Sequence, residues 1–321
     1  MPSLKGEKMS DRLYLGIDMG GTNIKVAVVN SFGNIVEETM MLTDVNEKPV
    51  SVISAIVKKA EKFKNYSKTK TVGIGIAGDI DCVKGEVRFS PNLPMWKDVP
   101  VKKLIEKFTN KTAVVDNDAN TAAIGAFWLD AKAKCDSLVC VTLGTGVGGG
   151  IILDKKIYRG ASCTAGEIGH ITIEPGGHKC KCGNTGCAET YIGANYLSDY
   201  ASQYLKTHDS AAIKELLNGS SKITPKILAD AAKKGDKAAA EIWKYAGEKL
   251  GILLSDVINF INPDAIVLCG GVSGAGKFII NPAEKEIAKR AFKSAAKTCK
   301  ITISKYTQKL GVVGAAMLAK Q

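Results

Sequence analysis

Three cysteines fall within eight residues, C-K-C-G-N-T-G-C from Cys180 to Cys187, and the surrounding stretch GEIGHITIEPGGHKCKCGNTGCAET (166–190) adds two histidines and three carboxylates. Thiolates and an imidazole are the ligands zinc takes in tetrahedral sites, and the interleaved glycines permit the tight turns that converge them. Buried free thiols are the plainer alternative, and they fit this density poorly. By spacing alone His178, two residues before Cys180, is the nearer fourth ligand, with His170 also in reach. Three sulfurs and one nitrogen leave no open position for a reacting water, so such a metal is structural. Glu167 and His170 are three apart and share a face on one helical turn, and Glu189 lies two beyond Cys187.

A second group of residues could hold anions. Three Gly-rich loops each follow an apolar strand pattern: Asp18-Met19-Gly20-Gly21-Thr22, Leu143-Gly144-Thr145-Gly146 and Cys269-Gly270-Gly271-Val272-Ser273. Glycine lets backbone approach an anion closely, and threonine hydroxyls with exposed N–H groups can donate to phosphate oxygens. One such loop is usually a tight hairpin turn; three in this order say more. Two formal matches fail. GTGVGG (144–149) has the dinucleotide fingerprint spacing, but a strand pattern follows it where a helix N-terminus is required. GVSGAGKF (271–278) has Phe278 where a phosphate-binding loop needs a magnesium-binding hydroxyl.

These loops need elements to position them. Residues 12–30 alternate apolar and polar around MGGTN and read as a β-hairpin, and 138–153 repeat that layout, which suggests duplicated domains facing each other. Helical spacing covers 49–63, 118–130, 194–206, 226–233, 237–260, 283–295 and 310–319, with strands at 71–78, TAVVDN (112–117) and DAIVLC (264–269). Asp118 or Asn117 stands in a capping position before the helix at 118. Strands alternating with helices give an α/β class.

The ordered motifs DMGGTNIK (18–25), IAGDID (76–81), DNDAN (116–120), LGTGVGGG (143–150), GEIGH (166–170), CKCGNTGC with AET (180–190) and LCGGV (268–272) resemble the ROK family of repressors, open reading frames and sugar kinases. The resemblance covers nearly the whole chain, from about Leu13 to Lys320. It implies a two-domain actin-like ATPase (ribonuclease H-like) fold with a structural zinc site. The expected division is a flexible tail over 1–10, a small lobe of 11–117 plus 306–321, and a larger lobe of 118–305 carrying the zinc.

The resemblance also implies ATP-dependent phosphorylation of a hexose 6-hydroxyl, with glucose first. N-acetylmannosamine, N-acetylglucosamine, fructose and mannose are the rival substrates. Asp118 would receive the hydroxyl proton; the helix dipole keeps it ionised, a weak base but a well-aimed acceptor. Gly78, Asn92, Asn117, Glu167, His170 and Glu189 would contact the sugar. Asp18 would hold the magnesium of MgATP through water, and Gly20, Gly21, Thr22, Lys25, Gly144, Thr145 and Gly146 would line the phosphates, with Gly270 and Gly271 near the adenosine. The family pattern assigns the zinc to His170, Cys180, Cys182 and Cys187, leaving His178 as the fallback.

Composition agrees with such an enzyme and excludes other classes. At 321 residues and 34.0 kDa the chain can hold two domains. No apolar run approaches the roughly 20 residues that cross a bilayer, and MPSLKGEKMSDR has no apolar h-region, so a cytoplasmic protein is expected. A net charge of +12 can signal a nucleic-acid partner, but the lysines are spread along helix-like faces without aromatics. Neither nucleic acid nor membrane is an expected partner; a homodimer is. A ROK transcriptional regulator would need a helix-turn-helix of roughly sixty residues ahead of the first glycine loop, and about eleven residues precede the first strand. Of nine cysteines, Cys82, Cys135, Cys140, Cys163, Cys269 and Cys299 are scattered singly and read as reduced thiols.

Overall fold

The computed structural model describes residues 12–320; the tail expected over 1–10 lies outside them. The chain opens with β1 (Leu13–Met19) and β2 (Asn23–Asn30), the expected antiparallel hairpin, with Asp18 opposite Lys25. β3 (Ile35–Leu42), α1 (Pro49–Ala60) and β4 (Thr69–Ile76) follow, then β5 (Asp79–Asp81), β6 (Glu86–Phe89) and β7 (Lys97–Val99), α2 (Val101–Thr109), β8 (Thr112–Asn117) and α3 (Asp118–Leu129). The second hairpin is β9 (Leu138–Leu143) and β10 (Val147–Leu153), extended by β11 (Lys156–Tyr158). Next come α4 (Glu189–Ile192), α5 (Ala194–Tyr204), α6 (Ala211–Leu217), α7 (Pro225–Lys233) and α8 (Lys237–Ile261). β12 (Ala265–Cys269), α9 (Lys277–Arg290), α10 (Lys293–Thr298), β13 (Lys300–Ile303) and α11 (Leu310–Leu318) complete the chain.

Two mixed five-stranded sheets, ordered β3-β2-β1-β4-β8 and β11-β10-β9-β12-β13, and a small three-stranded sheet make this an α/β protein, as the patterning predicts. The chain divides into two compact units. One comprises the residues up to Cys140, Gly150–Gly166 and those from Lys305 onward; the other comprises Val141–Gly149 and Glu167–Ser304. In the first unit, β-branched residues of β1, β2 and β4 bury Ile17, Ile24, Val26, Val28, Val72 and Ile74 against Val52, Ile53 and Ile56 of α1. The opposite face is closed by α11, whose small residues allow backbone-to-backbone approach: a Cβ on Gly314 would overlap Thr121 O of α3. The second unit centres on α8, which buries Ile242, Trp243, Leu250, Leu253, Leu254 and Ile258.

Two expectations change. The helix expected at 283–295 begins at Lys277 and ends at Arg290, with Pro282 inside it, and the chain then breaks before α10. Proline normally marks a helix start, but here Gly247 of α8 lets α9 press in at Ile279 and Pro282, and packing outweighs the lost N–H. Among the cysteines read as reduced, Cys82 and Cys163 form a disulfide across 81 residues of sequence. That pairing follows from the fold and has no spacing signal; Cys135, Cys140, Cys269 and Cys299 form no disulfide, as expected.

Candidate active site and cysteine knuckle

In the first unit the chemistry gathers at the carboxyl ends of three parallel strands, where α/β sheets place their ligands. The registers Asp18↔Gly75 and Gly75↔Asp116 put Asp18, Gly75 and Asp116 in one row across β1, β4 and β8. The next residues along each strand lead to Gly20, Gly78 and Asp118. Asn117 ends β8 and caps α3: its Oδ1 accepts from Ala119 N at 2.8 Å, and its Nδ2 donates to Gly78 O at 2.9 Å. The cap is therefore Asn117, and Asp118 is the first helical residue, its Oδ1 accepting from Ala119 N at 3.0 Å. Two of the sugar candidates, Gly78 and Asn117, are thus hydrogen-bonded, and Asp118 sits in the helix turn that favours an anion.

Asp18 is set against that anion. Protein atoms crowd its carboxyl group, and burial first, then the negative charge of Asp118, push its pKa up to about 6, opposed by Lys25. Lys25 Nζ donates to Gln308 O at 2.6 Å and to Gln308 Oε1 at 3.0 Å, so a residue expected at phosphate is held by the segment leading into α11. Gly311, in the first turn of α11, makes room for Asp18: a Cβ there would stand 2.5 Å from its carboxyl carbon. The Gly20–Thr22 turn is tied to the end of β3 by Thr43 Oγ1 donating to Gly20 O at 2.7 Å and Thr43 N donating to Thr22 O at 2.9 Å. Asn92 lies beside it, 3.1 Å from where a Gly21 Cβ would be.

In the second unit the β9–β10 loop and Glu189 form one structure. Val147 N donates to Glu189 Oε2 at 3.0 Å, and a Cβ on Gly146 would collide with that same oxygen. Gly146 therefore admits the Glu189 carboxylate, a reason the phosphate reading did not include. Ala194 N donates to Gly144 O at 2.9 Å, while the Cβ position of Gly144 meets no atom within 4 Å, as does that of Gly271. Gly270, at φ +93°, packs against the backbone of Leu143, so the 144–146 and 270–271 loops are neighbours.

The cysteines converge as their spacing predicts. Gly183 and Gly186 take φ of +97° and +77°, and Cys180 N donates to Asn184 O at 2.8 Å, closing a compact knuckle. One donor atom from each of His170, Cys180, Cys182 and Cys187 lies within 4.8 Å of the others. A tetrahedral centre with metal–sulfur bonds of about 2.3 Å separates two sulfurs by about 3.8 Å. Cys182 and Cys187 Sγ stand 3.7 Å apart, as do Cys180 Sγ and His170 Nδ1, so this donor set fits a zinc-sized ion. Burial, then the neighbouring sulfurs, pushes the Cys187 thiol up to about 12, and burial also raises Cys180, whereas the Asn184 N–H lowers Cys182. A bound cation would reverse that penalty. His170 offers its other nitrogen to Glu167, Nε2 to Oε2 3.9 Å. His178 is not in the group; its ring packs on Tyr191, centroids 4.9 Å apart.

Three features of the first unit carried no sequence signal. Buried Asp116 accepts from Arg159, Arg88 pairs with Asp79 and Asp81, and Cys163 is bonded to Cys82. The first and third join residues distant in sequence, and Arg88 also reaches Ser162 O. Among the described residues no helix is long and apolar enough to cross a membrane.

The description "ROK family" matches residues 14–321. The chain is 32% identical over 321 residues to the glucokinase of Thermotoga maritima, covering 100% of this chain and 99% of that protein. It is 34% identical over 319 residues to the glucokinase of Halalkalibacterium halodurans, covering 98% and 96%. A ROK family glucokinase from Streptomyces griseus, solved with glucose and AMPPNP, superposes with a TM-score of 0.83 at 33% identity over 96% of this chain and 99% of that one. The α/β architecture is accordingly that of the actin-like ATPase class. The motifs, the paired carboxylates, the knuckle and these similarities agree: the chain belongs to the ROK family.

Proposed function

We propose that the protein is an ATP-dependent hexose kinase that converts glucose to glucose 6-phosphate. The observation that supports this best is the coupling of Asp18 and Asp118 at the ends of β1 and β8, either side of β4: two carboxylates whose charges oppose each other where a cation and a hydroxyl would both be bound. The relatives named glucokinase support glucose over amino sugars. MgATP supplies the γ-phosphoryl group and the cation that neutralises developing charge.

The residues of the chain position and desolvate. Asp118 accepts the proton of the sugar 6-hydroxyl as that oxygen bonds to phosphorus and ADP departs. Phosphoryl transfer through a loose transition state depends more on aiming the hydroxyl than on early deprotonation, so a carboxylate held at a helix start suffices. Asp18 binds the magnesium through water, and the cation returns its raised pKa toward the ordinary carboxylate range. Gly20, Gly21, Thr22, Gly144 and Thr145 line the phosphates, with Lys25 contributing charge, and Gly270 and Gly271 lie near the adenosine. Asn117, Gly78, Asn92, Glu167, His170 and Glu189 hold the sugar. His170, Cys180, Cys182 and Cys187 bind a structural zinc that fixes His170 and Glu189 relative to one another. We place this chemistry in the cytoplasm, at the entry of glucose into glycolysis, in a homodimer.

The test is a panel of glucose, mannose, fructose and N-acetylated hexosamines with MgATP and purified protein. Glucose is expected to give the highest kcat/KM, and Asp118→Asn to lose at least a hundredfold, the usual worth of a positioned base being about 10²–10⁴. Turnover of none of the sugars, or near-normal turnover by Asp118→Asn, overturns the reading.

A further inference from the structure

Residues 159–166 leave β11 and run without regular secondary structure directly into Glu167. Three ties hold this segment. At its start Arg159 Nε donates to Asp116 Oδ2 at 2.7 Å. In its middle Arg88 Nη1 donates to Ser162 O at 3.3 Å while pairing with Asp79 at 2.9 Å and, through Nη2, with Asp81 at 3.2 Å. Next to Ser162, Cys163, held at φ +67°, is bonded to Cys82 in the turn between β5 and β6.

Only the third tie can be cut and remade covalently. Both sulfurs belong to half-buried residues flanked by exposed Val83, Lys84, Ser162 and Thr164, so a thiol reagent can reach them. The other seven cysteines form no disulfide, and three of them must stay reduced to serve as metal ligands. Where the remaining cysteines stay reduced, a disulfide is characteristically transient and regulatory.

We propose that the Cys82–Cys163 disulfide is a reversible redox modification site that sets how firmly segment 159–166 is held and, through it, the affinity for sugar. The last point rests on the reading of Glu167 and His170 as sugar-binding residues. A dithiol reductant attacks one sulfur, a mixed disulfide forms and the other cysteine leaves as a thiolate; the reductant's second thiol then displaces the first cysteine. Two electrons and two protons pass to Cys82 and Cys163, and the reductant becomes the disulfide. With the bond cut, two polar ties remain and the segment samples more conformations, whose ordering opposes sugar binding. Because the Arg159–Asp116 pair that ties the segment to the start of α3 stays in place, the effect falls on KM and spares kcat.

The full-length protein, prepared without reductant and with zinc present, is unfolded with a chelator and alkylated. Seven labels are expected before reduction and nine after, the gain falling on the peptides containing Cys82 and Cys163. On the folded protein, dithiol treatment and the C82S/C163S variant should both speed hydrogen exchange across 159–170. They should also raise the glucose KM severalfold with kcat held, and the variant should ignore further dithiol. Nine labels before reduction, unchanged exchange in that segment, or an unchanged KM beside faster exchange overturns the proposal. If no hexose is phosphorylated at all, the kinase reading fails separately, and labelling and exchange still decide whether the bond is a reversible clamp.

Discussion

Arg159 Nε stands 2.7 Å from Asp116 Oδ2, and the other oxygen of that carboxylate accepts from Asn120 Nδ2 and Asn117 N, both at 2.8 Å. Asp116 is 1% exposed, so its charge is viable only while these donors stay in place. The pair ties the loop after β11 to the first turn of α3, the turn that presents Asp118. Arg159→Gln leaves a buried carboxylate with neutral donors alone, and is expected to lower stability by about 2–3 kcal/mol. It should lower kcat for glucose as well, because the start of α3 loosens. Arg159→Lys should restore only part of both, since an ammonium cannot reproduce the guanidinium geometry. Denaturant midpoints and glucose kinetics check this; full stability in Arg159→Gln would show the ion pair to be idle.

The carboxylate at Asp18 trades stability for function. Its pKa in the ligand-free fold is about 6 against an ordinary 3.8, so the folded protein keeps a proton that the unfolded chain has released between those values. The stability this confers is fully present below about 3.8 and is lost as pH rises through about 6, leaving a penalty at neutral pH. Asp18→Asn removes the titration. It should stabilise the ligand-free protein at pH 8 by on the order of 2 kcal/mol, converge with the wild type near pH 4, and lose kinase activity. Paired denaturant titrations at the two pH values measure the difference, and a variant less stable than wild type at pH 8 would refute the account.

Local chemistry was readable from the sequence, and long-range chemistry was not. The hairpins at 13–30 and 138–153, the strand end at Asn117 and the convergence of Cys180, Cys182 and Cys187 all follow from spacing within one turn or one strand. The choice between His170 and His178 did not follow from spacing. His178 is nearer in sequence, but its backbone N–H donates to Tyr191 Oη at 3.0 Å and its ring packs at a tilt on that tyrosine, while the 3₁₀ turn at Ile168–His170 swings His170 Nδ1 onto Cys180. Cys82–Cys163, Asp116–Arg159 and Gly311 beside Asp18 join positions far apart in sequence, and a lone arginine, cysteine or glycine gives no sign of its partner. Exposed β3 and the short β5–β7, β11 and β13 lacked enough alternation to be seen.

Gly146 and Gly144 separate two roles of the β9–β10 loop. An alanine at 146 drives its Cβ into Glu189 Oε2 and must displace that carboxylate, whereas at 144 the same methyl enters open space. Gly146→Ala is therefore expected to raise the glucose KM about tenfold, the cost of mispairing a part-buried polar contact, with the ATP KM changed less. Gly144→Ala should do the opposite if that space receives phosphate. Steady-state kinetics with each substrate varied in turn distinguish them, and equal effects of Gly146→Ala on both KM values would defeat the assignment.

The knuckle makes the last prediction, because its two histidines differ in what the fold does with them. His170 brings Nδ1 to 3.7 Å from Cys180 Sγ and faces Glu167 with Nε2, so one ring would serve metal and sugar together. His170→Ala should lose bound zinc on elemental analysis and raise the glucose KM. His178→Ala removes only a ring contact with Tyr191 and should keep one zinc per chain. Glu167→Gln tests the coupling: a carboxylate behind a ligating imidazole raises its basicity, and losing such a partner typically costs about 10–100-fold in metal affinity. Competition with a chromogenic chelator reads that change directly, without any sugar present. Zinc held equally by wild type and His170→Ala, or lost on His178→Ala, would return the fourth position to His178.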